Sequence, residues 1–326
     1  SGQSAAGKSA GSKRRDVLAR GPESLSALKR EEPKAYAAGI PGIAKALEHS
    51  FREMGVWRPI AALSKMNQQG GFDCPSCAWP DPDTPSKLGE FCENGAKALA
   101  DEATRSAVDA AFMAAHSVEA LSRFTDFELN RLGRLTEPMV LKPGKIHYEP
   151  ISWEDAYAWI ARELNALDHP DEAIFYTSGR SSNEAAFLYG MFARALGTNN
   201  LPDCSNMCHE SSGVALSETL GIGKGSVRLE DLYGADLILI AGQNPGTNHP
   251  RMLSALEKCK ENGGKIISIN PLEEAGLIRF KNPQSAKGLL GSGTALADLH
   301  LPVRINQDIP LVKYILKELI RLSNER

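Results

Sequence analysis

Apolar and polar positions along the chain follow two different periods, and the elements they predict alternate between helix and strand after residue 150. Over 153–167 apolar side chains recur every three or four positions behind Ser152, which predicts a capped helix with one buried stripe. Short buried strands are predicted at 173–177, 236–241 and 265–269, and further helices at 183–196, 250–262 and 308–322. Strands separated by helices are typical of βαβ units, so the predicted fold class is α/β, doubly wound, with mostly parallel strands.

The part of the chain before residue 150 lacks this alternation. Residues 1–34 are rich in Ser, Gly, Ala, Lys and Arg without an apolar period, which predicts a disordered arm. A helix is expected at 43–52, an irregular lead at 57–69, proline-rich turns at 72–88 and helical spacing at 95–135. The predicted division is a disordered arm at 1–34, a cysteine-bearing region at 35–135, the first part of an α/β domain at 136–203 and a second, incomplete α/β domain at 204–326.

Composition and charge narrow the class of protein. The chain has 326 residues, with 37 basic against 40 acidic side chains and a formal net charge of −3, a balance that argues against a nucleic-acid partner. No apolar run approaches the roughly 18 residues that a membrane span needs. The pair Arg14 and Arg15 is followed by Asp16 and Arg20 rather than by the apolar segment of an export signal, so a cytoplasmic location is expected.

Three of the six cysteines, Cys74, Cys77 and Cys92, fall close together in the sequence. Six cysteines are too few for a disulfide scaffold in a chain of this length. The C-x-x-C turn of Cys74 and Cys77 can present two thiolates to one metal, and Cys92 could complete a zinc or iron–sulfur site with a fourth ligand from elsewhere. A thioredoxin-like redox pair and unpaired structural cysteines are the alternatives.

Two loops stand where a predicted strand meets a helix. One contains Ser178, Gly179, Arg180 and Asn183, and the other contains Gly242, Gln243 and Asn244. Strand ends of open α/β sheets are where ligands bind, and helix N-termini beside them favour anions. Neither loop has the spacing of a dinucleotide fingerprint or a Walker A loop, so the pattern indicates an anionic ligand without naming it. Each loop alone is also compatible with an ordinary turn.

Cys208 and His209 stand just before a segment rich in Ser and Gly that is expected to form a turn. A thiol in this position could be a nucleophile, a metal ligand or a small buried residue, and the imidazole could move a proton near neutral pH. Cys204 and Cys259 are expected to pack in the core. The residues alone leave these alternatives open.

The order of these features along the chain resembles the molybdopterin oxidoreductase family, and more narrowly its formate-dehydrogenase-like alpha subunits. The matching segments are, in order, the thiol cluster ending at Gly95, residues 151–156, 176–184 and 196–200, Cys208 with His209, residues 242–245 with His249 and Pro250, and residues 293–300. The resemblance implies a bis(molybdopterin guanine dinucleotide) molybdenum cofactor and a 4Fe-4S cluster. It also implies the two-electron oxidation or reduction of a small substrate, formate being the first candidate, with electrons leaving through the cluster to an unidentified partner.

The resemblance implies a role for each candidate residue. Cys74, Cys77 and Cys92 match cluster ligands, Cys208 matches the thiolate that binds molybdenum, and His209 matches the histidine beside it, which would assist proton movement. Pterin contacts are implied for Ser178, Gly179, Arg180 and Asn183. Guanine dinucleotide contacts are implied for Gly242, Gln243, Asn244 and Asn270.

Two positions depart from the family's pattern. The usual third cluster cysteine falls near Asp81, and the usual lysine between cluster and pterin is Asn94. A cluster with an aspartate ligand, a three-iron cluster and a lost cluster are all compatible with this change. Family members also continue well past the equivalent of residue 326, so the chain is expected to be an N-terminal portion. The alternative functions are a catalytically incomplete module that binds a nucleotide or a partner, and a zinc-stabilised binding protein.

Overall fold

The computed structural model describes residues 32–77, 79–86, 89–177, 179–202 and 204–325, without the side chains of 204–208. Its described residues divide into two compact units, one formed by 106–167 and the other by 32–105 together with 168–325. Apart from 32–34, the predicted arm at 1–34 lies outside the described residues. The predicted domain division stays a prediction.

The first elements of the larger unit form a helical cluster. They are strand β1 (Ala37–Ala38) and helices α1 (Gly39–Met54), α2 (Trp57–Leu63) and α3 (Glu93–Glu102). The helices enclose a core that includes Met54, Met66 and Leu99. The irregular lead predicted at 57–69 is wrong for its first half, because α2 forms there. Pro59 stands in its first turn, where the missing N–H has no helical partner to lose.

The smaller unit consists of short elements, many of them opened by a side-chain cap. In chain order they are β2 (Ala107–Val108), α4 (Ala110–Ala115), α5 (Val118–Ser122), α6 (Asp126–Arg131), β3 (Arg134–Leu135), β4 (Met139–Val140), β5 (Glu149–Pro150) and α7 (Trp153–Asn165). Asp109, Ser117 and Thr125 cap α4, α5 and α6. Ser152 accepts the Asp155 N–H at the start of α7, which confirms the predicted capped helix. The predicted buried stripe is wrong, because α7 has no buried residue and Ile160 is 52% exposed.

The rest of the larger unit begins with a single 3-10 turn at Pro170–Glu172. After it come α8 (Asn183–Leu196), α9 (Cys204–Leu220), α10 (Leu229–Tyr233), β6 (Leu237–Ala241), α11 (Pro245–Asn248), α12 (Met252–Glu261), β7 (Lys265–Ile269), α13 (Ala275–Ile278), β8 (Phe280–Lys281), α14 (Ala286–Leu290), β9 (Leu299–Leu301) and α15 (Asp308–Asn324). The predicted helices at 183–196, 250–262 and 308–322 are confirmed as α8, α12 and α15.

The larger unit contains a parallel three-stranded sheet, in the order β6-β7-β9. Ile240 and Ile266 pack with Leu253 and Leu256 of α12, all four being buried. Helix α12 connects the two parallel strands β6 and β7 and packs on their sheet, which is the βαβ arrangement that the sequence predicts. The α/β fold class is therefore confirmed. Strand β9 was not predicted.

The strand predicted at 173–177 is wrong, because no strand element forms over 173–176. Ile174 is 70% exposed and Tyr176 is 50% exposed, so only Phe175 is buried. The Phe175 N–H donates to the Asn200 carbonyl, and the Asn200 amide donates to the Asp171 and Ala173 carbonyls. These bonds to a neighbouring loop replace the ladder bonds of a sheet.

Within the described residues, no helix is both long and apolar enough to cross a membrane.

Candidate cofactor site

The ends of two parallel strands bring the predicted nucleotide loop together with Asn270. The Gly242 N–H donates to the Ile269 carbonyl at 2.9 Å, and Asn270 Nδ2 donates to the Gln243 carbonyl at 3.4 Å. Asn270 Oδ1 accepts the Leu272 N–H at 3.1 Å, and the Asn270 side chain is buried. A buried amide thus fixes the backbone of the loop that follows β6.

The loop itself leaves space for a ligand. Gly242 has φ +69°, a left-handed conformation that favours glycine, and a Cβ built there would meet no atom within 4 Å. Gln243 is exposed, and Asn244 Oδ1 accepts the Thr247 N–H at 3.3 Å. The carboxyl edge of a parallel sheet is where α/β proteins bind nucleotides, so these amides fit the nucleotide part of a dinucleotide cofactor.

The second predicted loop lies at the start of α8. Thr177 and Ser181 are joined by a hydroxyl hydrogen bond of 2.8 Å, and Ser182 Oγ accepts the Ala185 N–H to cap the helix. Gly179, Arg180 and Asn183 are exposed there, whereas Ser178 lies outside the described residues. Their assignment to the pterin stays a prediction.

Helix α9 carries the predicted catalytic pair and continues to Leu220, so the turn expected directly after the pair is wrong. His209 is exposed and borders an open cavity of about 480 Å³, whose walls include Glu210, Ser217 and Glu218. The side chain of Cys208 lies outside the described residues. Sequence reasoning did not select Ser217 and Glu218. They lie eight residues after His209 and Glu210, which is about two helical turns, so they share one face of the helix with that pair.

The three clustered thiols are attached to the start of α3. Cys92 is the N-cap of this helix and accepts the Gly95 N–H, while Cys74 Sγ accepts the Ser76 N–H, each at 3.4 Å. A Cβ built on Gly95 would lie 2.8 Å from Cys74 Sγ and 3.8 Å from Cys92 Sγ. Glycine therefore allows both sulfur atoms to approach the same turn of the helix.

Burial decides the protonation of these thiols. It raises the pKa of Cys74 and Cys92 above the usual range of a thiol, against the opposing effect of the N–H groups of Ser76 and Gly95. The negative charge of neighbouring thiolates raises both pKa values further. At neutral pH the two thiols are therefore protonated, and a metal would have to displace their protons.

Asp81, the position where the resemblance expects a cysteine, is engaged in an ion pair. Its carboxylate accepts from Arg251 Nη2 at 2.7 Å. In the part of the chain that the structure describes, no three His, Cys, Asp or Glu side chains converge as a metal-binding group. A 4Fe-4S cluster is ordinarily held by four cysteine thiolates. The described residues offer three thiols and the carboxylate of Asp81, which is already paired with Arg251. These groups do not fit the four thiolates that such a cluster requires.

The cysteine segment contacts the residues that follow the predicted nucleotide loop. Asn94, which replaces the expected lysine, donates through Nδ2 to the Thr247 carbonyl of α11 at 2.6 Å. Trp79 and His249 approach with ring centroids 6.2 Å apart. Arg251 was missed by sequence reasoning, because its partners Asp81 and Glu90 lie 170 and 161 residues away in the chain.

A family model described as molybdopterin oxidoreductase matches residues 134–321, which is more than half of the chain. The chain belongs to the molybdopterin oxidoreductase family. The matched range includes β6, β7, β9 and the loop at Gly242, so the resemblance drawn from the ordered segments is confirmed.

Three relatives illustrate the range of similarity within the molybdopterin oxidoreductases. An uncharacterized oxidoreductase of Mycobacterium tuberculosis (strain ATCC 25618 / H37Rv) is 57% identical over 91% of this chain and 38% of its own length. The protein YdeP of Escherichia coli K12 is 46% identical over 90% of the chain and 39% of its own length. The F420-dependent formate dehydrogenase 2 subunit alpha of Methanococcus maripaludis is 33% identical over 58% of the chain and 25% of its own length. The chain thus spans less than two fifths of the length of these relatives.

Proposed function

We propose that this molybdopterin oxidoreductase chain supplies part of the cofactor site of an enzyme that oxidises or reduces a small substrate by two electrons. The juxtaposition of Gln243 and Asn270 at the carboxyl edge of the parallel sheet carries the proposal, because it joins two segments implied to hold the guanine dinucleotide. The similarity to a formate dehydrogenase alpha subunit makes formate the first substrate to test.

Each part of the cofactor would have its own residues. Gly242, Gln243, Asn244 and Asn270 would hold the guanine dinucleotide portion, and Ser178, Gly179, Arg180 and Asn183 would contact the pterin. The Cys208 thiolate is a suitable soft ligand for molybdenum. The bound cofactor would supply the two-electron redox chemistry.

His209 would assist by moving a proton. It borders an open cavity in which a small molecule can reach its ring, and imidazole exchanges protons near neutral pH. Glu210 and Glu218 line the same cavity. A substrate in this cavity would therefore find a proton donor or acceptor at its wall.

The resemblance implies an electron path through an iron–sulfur cluster, but we do not include a step through such a cluster. The three thiols at Cys74, Cys77 and Cys92 do not supply the donor set of a 4Fe-4S cluster, and Asp81 is committed to Arg251. The electron-transfer partner is unidentified, and a cytoplasmic location stays a prediction.

The test is metal and cofactor analysis of the chain purified anaerobically from a host that makes the molybdenum cofactor. We expect molybdenum, pterin and guanine nucleotide in the wild type, loss of molybdenum in Cys208→Ser, and formate-dependent dye reduction that falls by roughly 10²–10⁴-fold in His209→Ala with molybdenum retained. His147→Ala is the matched control and should keep both. Well-folded protein without molybdenum and pterin would contradict the proposal.

A second function rests on the same juxtaposition of Gln243 and Asn270 at the sheet edge, which could hold a nucleotide without molybdenum. The chain would then be a catalytically incomplete module that binds a nucleotide or a partner. In that case guanine nucleotide should raise the melting temperature although no molybdenum is bound. An unchanged melting temperature at saturating guanine nucleotide would contradict it.

A further inference from the structure

Arg251 joins three points of the cysteine-bearing segment at the start of α12. Its Nε and Nη2 donate to Glu90 Oε1 at 3.1 and 2.9 Å, Nη2 donates to Asp81 Oδ1 at 2.7 Å, and Nη1 donates to the Trp79 carbonyl at 3.2 Å. The Arg251 side chain is only 9% exposed. A planar guanidinium can serve several acceptors at once, which a lysine cannot do with the same geometry.

The buried charge of Arg251 requires both neighbouring carboxylates to stay in contact with it. A buried guanidinium that loses a partner leaves an uncompensated charge, and Asp81 and Glu90 are the two carboxylates that meet it. Moving Asp81 to a metal would remove the shortest of these contacts. Asp81 is therefore a partner of Arg251 rather than a reserve ligand for iron.

The same segment is tied to the part of the larger unit that follows β6 at two further points. Gln284 Nε2 donates to the Gly89 carbonyl at 2.6 Å, and Asn94 Nδ2 donates to the Thr247 carbonyl at 2.6 Å. Both bonds, like those of Arg251, run to residues that follow β6 in the chain. The segment from Trp79 to Asn94 thus has protein contacts that fix it against the larger unit.

We propose that the Arg251 ion-pair network takes the place of an iron–sulfur cluster in this chain. Arg251 is a positioning residue that holds the cysteine-bearing segment, and Cys74, Cys77 and Cys92 remain thiols without a 4Fe-4S cluster. This role does not depend on the molybdenum chemistry proposed above, because none of its contacts involves the cofactor residues of the sheet edge.

The first experiment measures iron on the wild-type chain. The protein is purified anaerobically, incubated with ferrous iron and sulfide, desalted, and analysed for iron and for the visible absorption of a cluster. We expect only trace iron and no cluster absorption. A stoichiometric cluster that disappears in Cys92→Ser would overturn the proposal, whether or not the protein binds molybdenum.

The second experiment measures how fast each cysteine reacts with an alkylating reagent in Arg251→Met, with mass spectrometry as the readout. We expect labelling of Cys74 and Cys92 to accelerate on the order of tenfold, since the segment opens without its anchor. Cys259 is fully buried in α12 and should keep its slow rate, which reports that the sheet remains folded. Arg304→Met, at an exposed arginine, is the matched control.

Equal labelling of Cys74 and Cys92 in Arg251→Met and Arg304→Met would overturn the proposal. If Arg251→Met does not fold, Arg251→Lys is measured in its place. Lysine keeps the charge but cannot reproduce the planar fork, so a smaller acceleration at Cys74 and Cys92 is expected. The absence of any acceleration in that variant would also overturn the proposal.

Discussion

Asn270 is the residue that links the two strand ends at the candidate cofactor site. Its position after β7 could be predicted from the sequence, because an apolar run ends there and Asn-Pro follows. Its partner could not be predicted, because Gln243 lies 27 residues earlier and meets it only through the pairing of β6 with β7. The residue pattern therefore identified the position, and the sheet decided the contact.

Replacing Asn270 should destabilise the larger unit. Asn270→Ala removes the acceptor of the Leu272 N–H and the donor to the Gln243 carbonyl in a buried place, so we expect a loss of about 1–2 kcal/mol in the free energy of unfolding. Urea denaturation measures it. Asn130→Ala, at an exposed position of α6, should change stability by less than about 0.5 kcal/mol. Equal stability of the two variants would contradict the role assigned to Asn270.

Arg251 marks the limit of prediction at the residue scale. Nothing in its neighbourhood in the sequence indicates that it is buried, and the three groups it contacts lie 161 to 172 residues away. A lone arginine near the start of a helix is ordinarily solvated. Its role follows from the contact between the start of α12 and the segment around Trp79 and Glu90, and no local sequence pattern predicts that contact.

At the scale of elements, Asp298 fixes how β9 joins the sheet. Its backbone N–H donates to the Ile266 carbonyl and its carboxylate accepts the Ile266 N–H, both at 2.8 Å. Lys260 Nζ lies 2.6 Å from the same carboxylate. Although partial burial by itself would raise the pKa of Asp298, the hydrogen bonds from Lys260 and the Ile266 N–H, with the charges of Lys260 and Lys265, hold it below its usual range.

A lowered pKa in the folded state means that the ionised Asp298 stabilises the fold at neutral pH. This contribution is fully present above the unfolded pKa of about 3.9 and is lost as the pH falls through the lower pKa of the folded state. We expect Asp298→Asn to lower the urea midpoint at pH 7, and the difference from wild type to shrink below about pH 4. Asp73→Asn, at an exposed aspartate, is the control. A difference that stays constant down to pH 2.5 would exclude this assignment.

Predictions of elements succeeded where a period and a cap agreed. Helices α7 and α8 begin at Trp153 and Asn183 behind the serine caps Ser152 and Ser182. The prediction failed at 173–177, where an apolar run was interpreted as a strand although a loop around Asn200 takes its backbone hydrogen bonds. Short apolar runs do not say which partner will satisfy the backbone, so burial alone does not make a strand.

At the scale of the whole molecule, the larger unit depends on the core between the sheet and α12. Leu253 is fully buried there, among side chains from β6, β7 and the segment that leads to β9. Leu253→Ala should cost about 2–5 kcal/mol of unfolding free energy, because it leaves a cavity in a close-packed layer. Leu290→Ala, at a position 89% exposed, should be nearly neutral. Similar losses in thermal unfolding of the two variants would show that the core lies elsewhere.

The sequence by itself determined the family, the α/β class, the bounds of α7, α8, α12 and α15 to within two residues, and the ends of β6 and β7. The helices and strand ends are local features that backbone preference and apolar period encode directly. The family follows from the order of the matching segments along the chain. Only the tertiary structure decided that Asp81 pairs with Arg251, that Asn94 contacts Thr247, and that 173–176 forms no strand. Such pairings depend on which distant segments meet when apolar surface is buried. A charged or polar side chain buried there must then form a hydrogen bond or ion pair with a group on the neighbouring segment.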